Sequence, residues 1–162
     1  MKIFITNNSS ETQKLGEEFA KSLKRGEIIA MYGDLGSGKT TFVQGVARGL
    51  GIERRIISPT FIIIRSYKIK NTLRLRPAPD GAGLRSGQAN KKLKMFYHID
   101  LYRIESEKGI EGLGIEEIIN DPQNIAAIEW AERMGDLLSR KRWDVSFDNV
   151  GGDKRRIIVV SS

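Results

Sequence analysis

Gly33, Gly38, Lys39 and Thr40 meet the spacing G-x-x-x-x-G-K-[ST] inside the stretch GDLGSGKTT, residues 33–41. Glycines at these places let a short loop wrap until successive N–H groups point at phosphate oxygens. A lysine so placed reaches the β- and γ-phosphates of a nucleotide, and the hydroxyl after it ligates Mg²⁺. Gly36 and Ser37 fall within the wrap, and Thr41 either touches a phosphate or caps the helix. The N-terminus of a helix leaving this loop adds its partial positive charge. The spacing says phosphate; it leaves the nucleotide, the reaction and the partner open.

Phosphoryl transfer also needs an acid close to the metal, at the end of a neighbouring strand. Asp100 ends the apolar run MFYHID and Glu129 ends NIAAIE. Either can hold Mg²⁺ directly or through water, orient the attacking water, or be an ordinary strand-end carboxylate; two such acids behind one glycine-rich loop tilt the reading towards function. His98, Asp100 and Tyr102 share one strand face by period-two alternation. His98 is open to a catalytic reading, but a satisfied structural hydrogen-bonding role is favoured. Arg103 pairs with an acid, touches phosphate or is simply a solvated or structural residue, and these readings stay open. Trp130 and Trp143 read as packing residues. SPTF, residues 58–61, is a turn into a strand, and Thr60 is the candidate for a mobile sensor of the γ-phosphate.

These side chains need elements to hold them. KIFIT (2–6) reads as a short strand. A helix is predicted over 10–24, with Ser10 as cap, Gln13 three residues on, and Leu15, Phe19 and Leu23 as its buried stripe. EIIAMYG (27–33) is a continuous apolar run ending in glycine, the mark of a buried parallel strand. The helix after the loop runs through Phe42, Val43, Val46, Ala47 and Leu50 to Gly51. Gly45 and Gly49 inside it each cost about 1 kcal/mol against alanine, which implies close packing there. Strands 61–69 and 94–102 form a hairpin, with a long insertion at about 71–91 at its tip. Short helices broken by Gly112 and Gly114 follow, then a strand at 124–130, a helical AERMGDLLSRK, and a final hairpin turned at GGDK. The expected fold is α/β: a mixed β-sheet of the P-loop NTPase kind flanked by helices, closed by a C-terminal antiparallel hairpin, in one domain spanning 1–162.

The whole chain sets the bounds. Its 162 residues suit one core. No cysteine means no disulfide or thiolate metal site, and one histidine excludes a multi-histidine metal cluster. The apolar run at the start is too short for a signal peptide, and no run is long enough to span a bilayer, so a cytoplasmic protein without a membrane partner is expected. The net charge of +7 invites a nucleic-acid reading. Residues 68–94, however, carry eight basic residues against Asp80; removing them from the 27 basic and 20 acidic residues leaves 19 of each. The basicity belongs to one segment, which reads as a flexible insertion rather than as an RNA-binding face.

GDLGSGKTTF (33–42), SPTF (58–61), HIDLYR (98–103), GIEEI (114–118) and IEWAER (128–133) in this order resemble the TsaE (YjeE) family, small bacterial P-loop ATPases needed for threonylcarbamoyl-adenosine in tRNA. The resemblance spans the chain outside residues 70–93. It implies ATP and Mg²⁺ binding, an ATPase that is weak alone and monomeric by itself, and partnership with the TsaD and TsaB proteins, with tRNA reached through their complex. It implies that residues 36–41 bind phosphates with Lys39 in contact, that Thr40 and Glu129 hold Mg²⁺, and that Asp100 is the other acid of the site. Thr12 matches a family residue near the nucleotide base. Two departures stand out: the segment 71–91 is foreign to the family's compact hairpin, and Ser66 precedes Tyr67 where the family often carries an acid. A small-molecule kinase on the same scaffold and a non-catalytic nucleotide switch are the competing readings. A kinase lid lacks a matching arginine pattern, and the presence of both Asp100 and Glu129 argues against a mere switch.

Overall fold

The computed structural model describes residues 1–54, 56–57, 62–69, 95–105, 107–138 and 141–162. Thr60 with the rest of SPTF, and the segment 71–91, lie outside the described residues. Seven strands form one sheet: β1 (Lys2–Thr6), β2 (Ile28–Tyr32), β3 (Ile64–Lys68), β4 (Met95–Asp100), β5 (Ile125–Glu129), β6 (Trp143–Asn149) and β7 (Arg155–Ser161). Their order across the sheet is β1-β7-β6-β2-β5-β4-β3. The four central strands β6, β2, β5 and β4 run parallel, and antiparallel partners close both edges. The helices are α1 (Ser9–Ala20), α2 (Lys39–Gly49) and α3 (Ile115–Asn120), with 3-10 turns at Glu107–Gly109 and Ala131–Leu137. Among the described residues no helix is long and apolar enough to cross a membrane.

Continuous apolar runs made β2 and β5 central. Ile29 and Met31 face one core with Ile125 and Ala127, under α1 and α2; Ile28 and Ala30 face a second core with Ala126 and Ile128, under α3 and the turn Ala131–Leu137. A strand with apolar side chains on both faces is stable only between two layers. The second layer stops short: Ile3 and Ile5 on β1 are more than half exposed, and β6 puts Asp144, Ser146 and Asp148 on that open side.

The predicted first helix needs correcting at both ends. Its cap is Asn8, not Ser10: the Asn8 side chain accepts from the Glu11 N–H at 2.9 Å, while Glu11 accepts from the Asn7 backbone N–H and from both asparagine amides. That is a reciprocal capping arrangement begun two residues earlier. Helix α1 stops at Ala20 rather than 24, and the Ser22 hydroxyl takes the Phe19 carbonyl just beyond it. Leu23 is still buried, and the centre of the buried face is Thr12, Gly16 and Ala20, with Leu15 and Phe19 packed at its side.

The small residues explain that shift. A Cβ at Gly45 would fall on the Gln13 carbonyl, and one at Gly49 would lie 2.6 Å from the Ala20 Cβ and from the Glu17 carbonyl oxygen. Gly16 meets the Phe42 carbonyl in the same way. The two helices therefore touch backbone to backbone, and this close approach is why α2 carries glycines that its own helicity would reject.

Candidate phosphate-binding site

The loop joining β2 to α2 is delivered as its spacing predicts. Gly33 follows the last residue of β2, Gly36 lies at mid-loop, and Gly38 is the N-terminal flank of α2 with φ 107°, a conformation that glycine adopts at little cost. Among the described residues no side chain caps α2. The first N–H groups of the helix, from Lys39 onward, are thus left to an incoming anion. Ser37 is buried, and its Oγ has no hydrogen-bond partner among the described residues. A cavity of about 340 Å³ opens over the loop, lined on one side by Ser37, Lys39 and Thr40 and on the other by Asp100, Glu129 and Trp130.

Lys39 is almost wholly buried and folds back on its own loop, donating to the Gly33 carbonyl at 2.5 Å and the Asp34 carbonyl at 2.9 Å. Its ammonium stands 4.2 Å from the centroid of the Trp130 ring. Burial pushes its pKa down, and the carboxylates of Glu129, Glu132, Asp100 and Asp34 push the other way.

The two strand-end acids meet as neighbours, since Asp100 of β4 pairs with Glu129 of β5 across the parallel register. Glu129 sits beside the loop: Thr40 Oγ1 donates to its Oε1 at 2.7 Å, and His98 Nε2 lies 2.8 Å from the same oxygen. Asp100 is turned onto its own chain, where Oδ1 accepts the Tyr102 N–H at 3.0 Å. Arg103 is exposed. Thr41 lines both the main cavity and a smaller one of about 80 Å³, which Thr12 reaches from α1 along with Gly36 and Gly38. Thr12 is buried, its hydroxyl 2.8 Å from that of Thr6. Asp100, Glu129, Thr12 and Thr41 therefore border the cavities at this loop.

The sequence reading missed three contributors. Trp130, assigned to packing, touches the loop lysine, and it is the one non-glycine residue with positive φ (61°) among the described residues. An aromatic residue held there stores roughly 1–2 kcal/mol of strain. Arg133 donates from Nη1 to the carbonyls of Leu101, Tyr102 and Ile104, which fixes the turn after Asp100. Arg155 reaches from β7 to the Gly36 carbonyl at 3.3 Å. The one legible signal was the tryptophan directly after the acid in IEW. Trp143 is a packing residue as predicted, edge-on to Phe19 and donating to Glu27.

A glycine-rich loop ending β2, an uncapped helix behind it and two acids on adjacent parallel strands define a P-loop α/β protein. The family model described as "Threonylcarbamoyl adenosine biosynthesis protein TsaE" matches residues 6–77 and 85–157. A protein from Bacillus subtilis named "tRNA threonylcarbamoyladenosine biosynthesis protein TsaE" is 34% identical over 152 residues, covering 94% of this chain and 80% of its own. Its namesake in Synechocystis is 36% identical over 140 residues, covering 85% and 74%. The crystal structure of Bacillus subtilis YdiB superposes with a TM-score of 0.71 at 28% identity, covering 99% of this chain and 86% of that one. The chain belongs to the TsaE family.

Proposed function

We propose that this chain is a Mg²⁺-dependent ATPase that supports threonylcarbamoyl modification of tRNA adenosine by acting on a complex of TsaB and TsaD. The observation that carries the catalytic part is the 2.7 Å bond from Thr40 Oγ1 to Glu129 Oε1, which joins the phosphate loop to a strand end 89 positions away. A hydroxyl and a carboxylate in contact at the head of an open phosphate loop are suited to a hard cation that keeps most of its waters. Among the described residues no three acids or histidines cluster into a protein-made metal cage. This fits a metal shared with the nucleotide's own phosphates.

In this reading the loop amides and the start of α2 hold the phosphates, and Ser37 Oγ gains the partner it lacks. Lys39 exchanges its two loop carbonyls for phosphate oxygens. Thr40 and Glu129 would hold Mg²⁺, which would supply charge neutralisation to the nucleotide's phosphates. Asp100 is the other acid of the nucleotide site and orients the attacking water. Thr12 and Thr41 border the place for the nucleoside, and Thr60 senses the γ-phosphate. The modification role is supported by the names of the relatives across most of the chain. Hydrolysis is slow in the isolated chain, a cytoplasmic monomer, and rises in the presence of TsaB and TsaD; tRNA is met through that complex.

Phosphate release from ATP, followed with and without Mg²⁺, tests the chemistry. Slow release that requires Mg²⁺, disappears in Lys39→Ala and changes on mixing with TsaB and TsaD is the expected result. Stoichiometric transfer of phosphate to a small acceptor would replace this reading with a kinase. Reconstituted tRNA modification that proceeds equally without this chain would remove the pathway role.

A further inference from the structure

We infer that His98 is the positioning residue for Glu129: its Nε2–H fixes one carboxylate oxygen and leaves the other to the cavity. The functional half of this inference rests on the nucleotide reading above; the tautomer rests on geometry alone.

His98 is the chain's one histidine and is completely buried in β4. Its Cα pairs with that of Ala127, two residues before Glu129, so the ring lies along the same sheet face as the acid. Nε2 is 2.8 Å from Glu129 Oε1, which also accepts the Thr40 hydroxyl at 2.7 Å. A carboxylate oxygen only accepts, so Nε2 carries a proton, whereas a proton on Nδ1 would find no acceptor among the described residues. Nδ1 is indeed buried without a partner among the described residues. The other tautomer would strand an N–H in that place and set two acceptors against each other at the carboxylate. An unpaired buried donor is costly, and this arrangement avoids it.

The consequence is an asymmetric carboxylate. Oε1 takes two donors, one from the phosphate loop and one from the next strand, and Oε2 accepts none among the described residues. Glu129 lines the cavity, so Oε2 is the oxygen it offers there. Without the imidazole N–H, only the rotatable Thr40 hydroxyl, among the described residues, holds the carboxylate, which turns and exchanges its two oxygens more readily. Partners of this kind set the orientation of a metal-binding side chain and hence its affinity.

The lone histidine makes the test direct. In the full chain labelled with ¹⁵N-histidine, one imidazole gives one pair of nitrogen signals, and the Nε2–H tautomer is expected in the metal-free protein. Manganese binding is then measured by electron paramagnetic resonance in the presence of ADP, and ADP affinity is measured separately in EDTA. In His98→Asn, whose amide is too short to replace Nε2, Mn²⁺ affinity falls about tenfold while ADP affinity in EDTA stays within about twofold. In His98→Gln, whose amide nitrogen sits near the Nε2 position, Mn²⁺ affinity returns to within about threefold of the parent. Should His98→Asn fail to fold, the tautomer and the glutamine variant decide. The Nδ1–H tautomer overturns the inference. So does an equal loss of Mn²⁺ and ADP binding in both variants, which marks a structural histidine. A parent chain that binds no ADP overturns the nucleotide reading and the metal half with it, and leaves the tautomer to stand or fall by itself.

Discussion

Two carboxylates on the same sheet are treated in opposite ways. Asp144 of β6 is saturated: Oδ1 accepts from the Tyr32 hydroxyl at 2.8 Å and Arg142 Nε at 2.7 Å, and Oδ2 from the Ser162 hydroxyl at 2.6 Å. Glu129 of β5 has two donors on one oxygen and none among the described residues on the other. Asp144 is the more exposed of the two, yet it is the one tied down by the chain itself. Burial works against its charge, but the bonds from Ser162, Arg142 and Tyr32 outweigh this and hold its carboxyl below the ordinary value. The contrast separates an acid that closes a local network from an acid that keeps capacity for something else.

Substitutions should pull the two apart. The largest effect is expected from Glu129→Gln, with Mg²⁺-dependent phosphate release reduced on the order of 10²-fold or more while the thermal midpoint moves little. A variant that keeps the parent rate would place the metal on Asp100 and end the contrast. Asp144→Ala should do the reverse. It strands three donors and lowers unfolding free energy by roughly 1–3 kcal/mol in urea titrations, with ADP affinity intact.

The same network gives a pH signature. The folded Asp144 carboxyl lies below its ordinary value of 3.8, so its stabilisation is present above that pH and is lost as pH falls through the folded value. The acid limb of the stability curve should flatten in Asp144→Asn below about pH 4. A smaller effect belongs to Tyr32→Phe, at about 1 kcal/mol. Burial and the Asp144 carboxylate raise the Tyr32 hydroxyl from 10.0 to about 12. A raised group stabilises below its unfolded value, so this contribution fades between about pH 10 and 12, and the phenylalanine variant should lose that alkaline slope. The smallest effect is the null expected of deleting residues 72–91, which should leave ADP affinity within error. A large loss would mean that the segment serves the site and is no insertion.

The sequence made one half of this comparison legible and hid the other. Glu129 was visible because it ends an apolar run, a pattern that places an acid at a strand end in any parallel sheet. Asp144 gave no such sign, sitting near the start of a strand with alternating polarity. Its partner Tyr32 lies 112 positions away and becomes a neighbour only because β6 pairs with β2 in parallel. Period-two alternation assigns a face but not a strand order, and these contacts depend on order. The same limit hid Arg155 at Gly36. Trp130 was hidden differently, since its positive φ contradicts the local preference of an aromatic residue and is imposed by its surroundings. The glycine-rich loop itself needed no such context, because its glycines, lysine and threonines all fall within nine residues, although its contacts to Glu129, Trp130 and Arg155 do not. Gly45 and Gly49 announced a close approach without naming the partner, which is α1.

That approach has a mechanical side. Where a single methyl has no room between α1 and α2, one helix cannot slide past the other without lifting away from it. The two helices lie side by side in parallel, with Thr12 of α1 next to Gly38 at the start of α2 and Ala20 next to Gly49 at its end. A displacement of the loop would therefore have to carry both helices together.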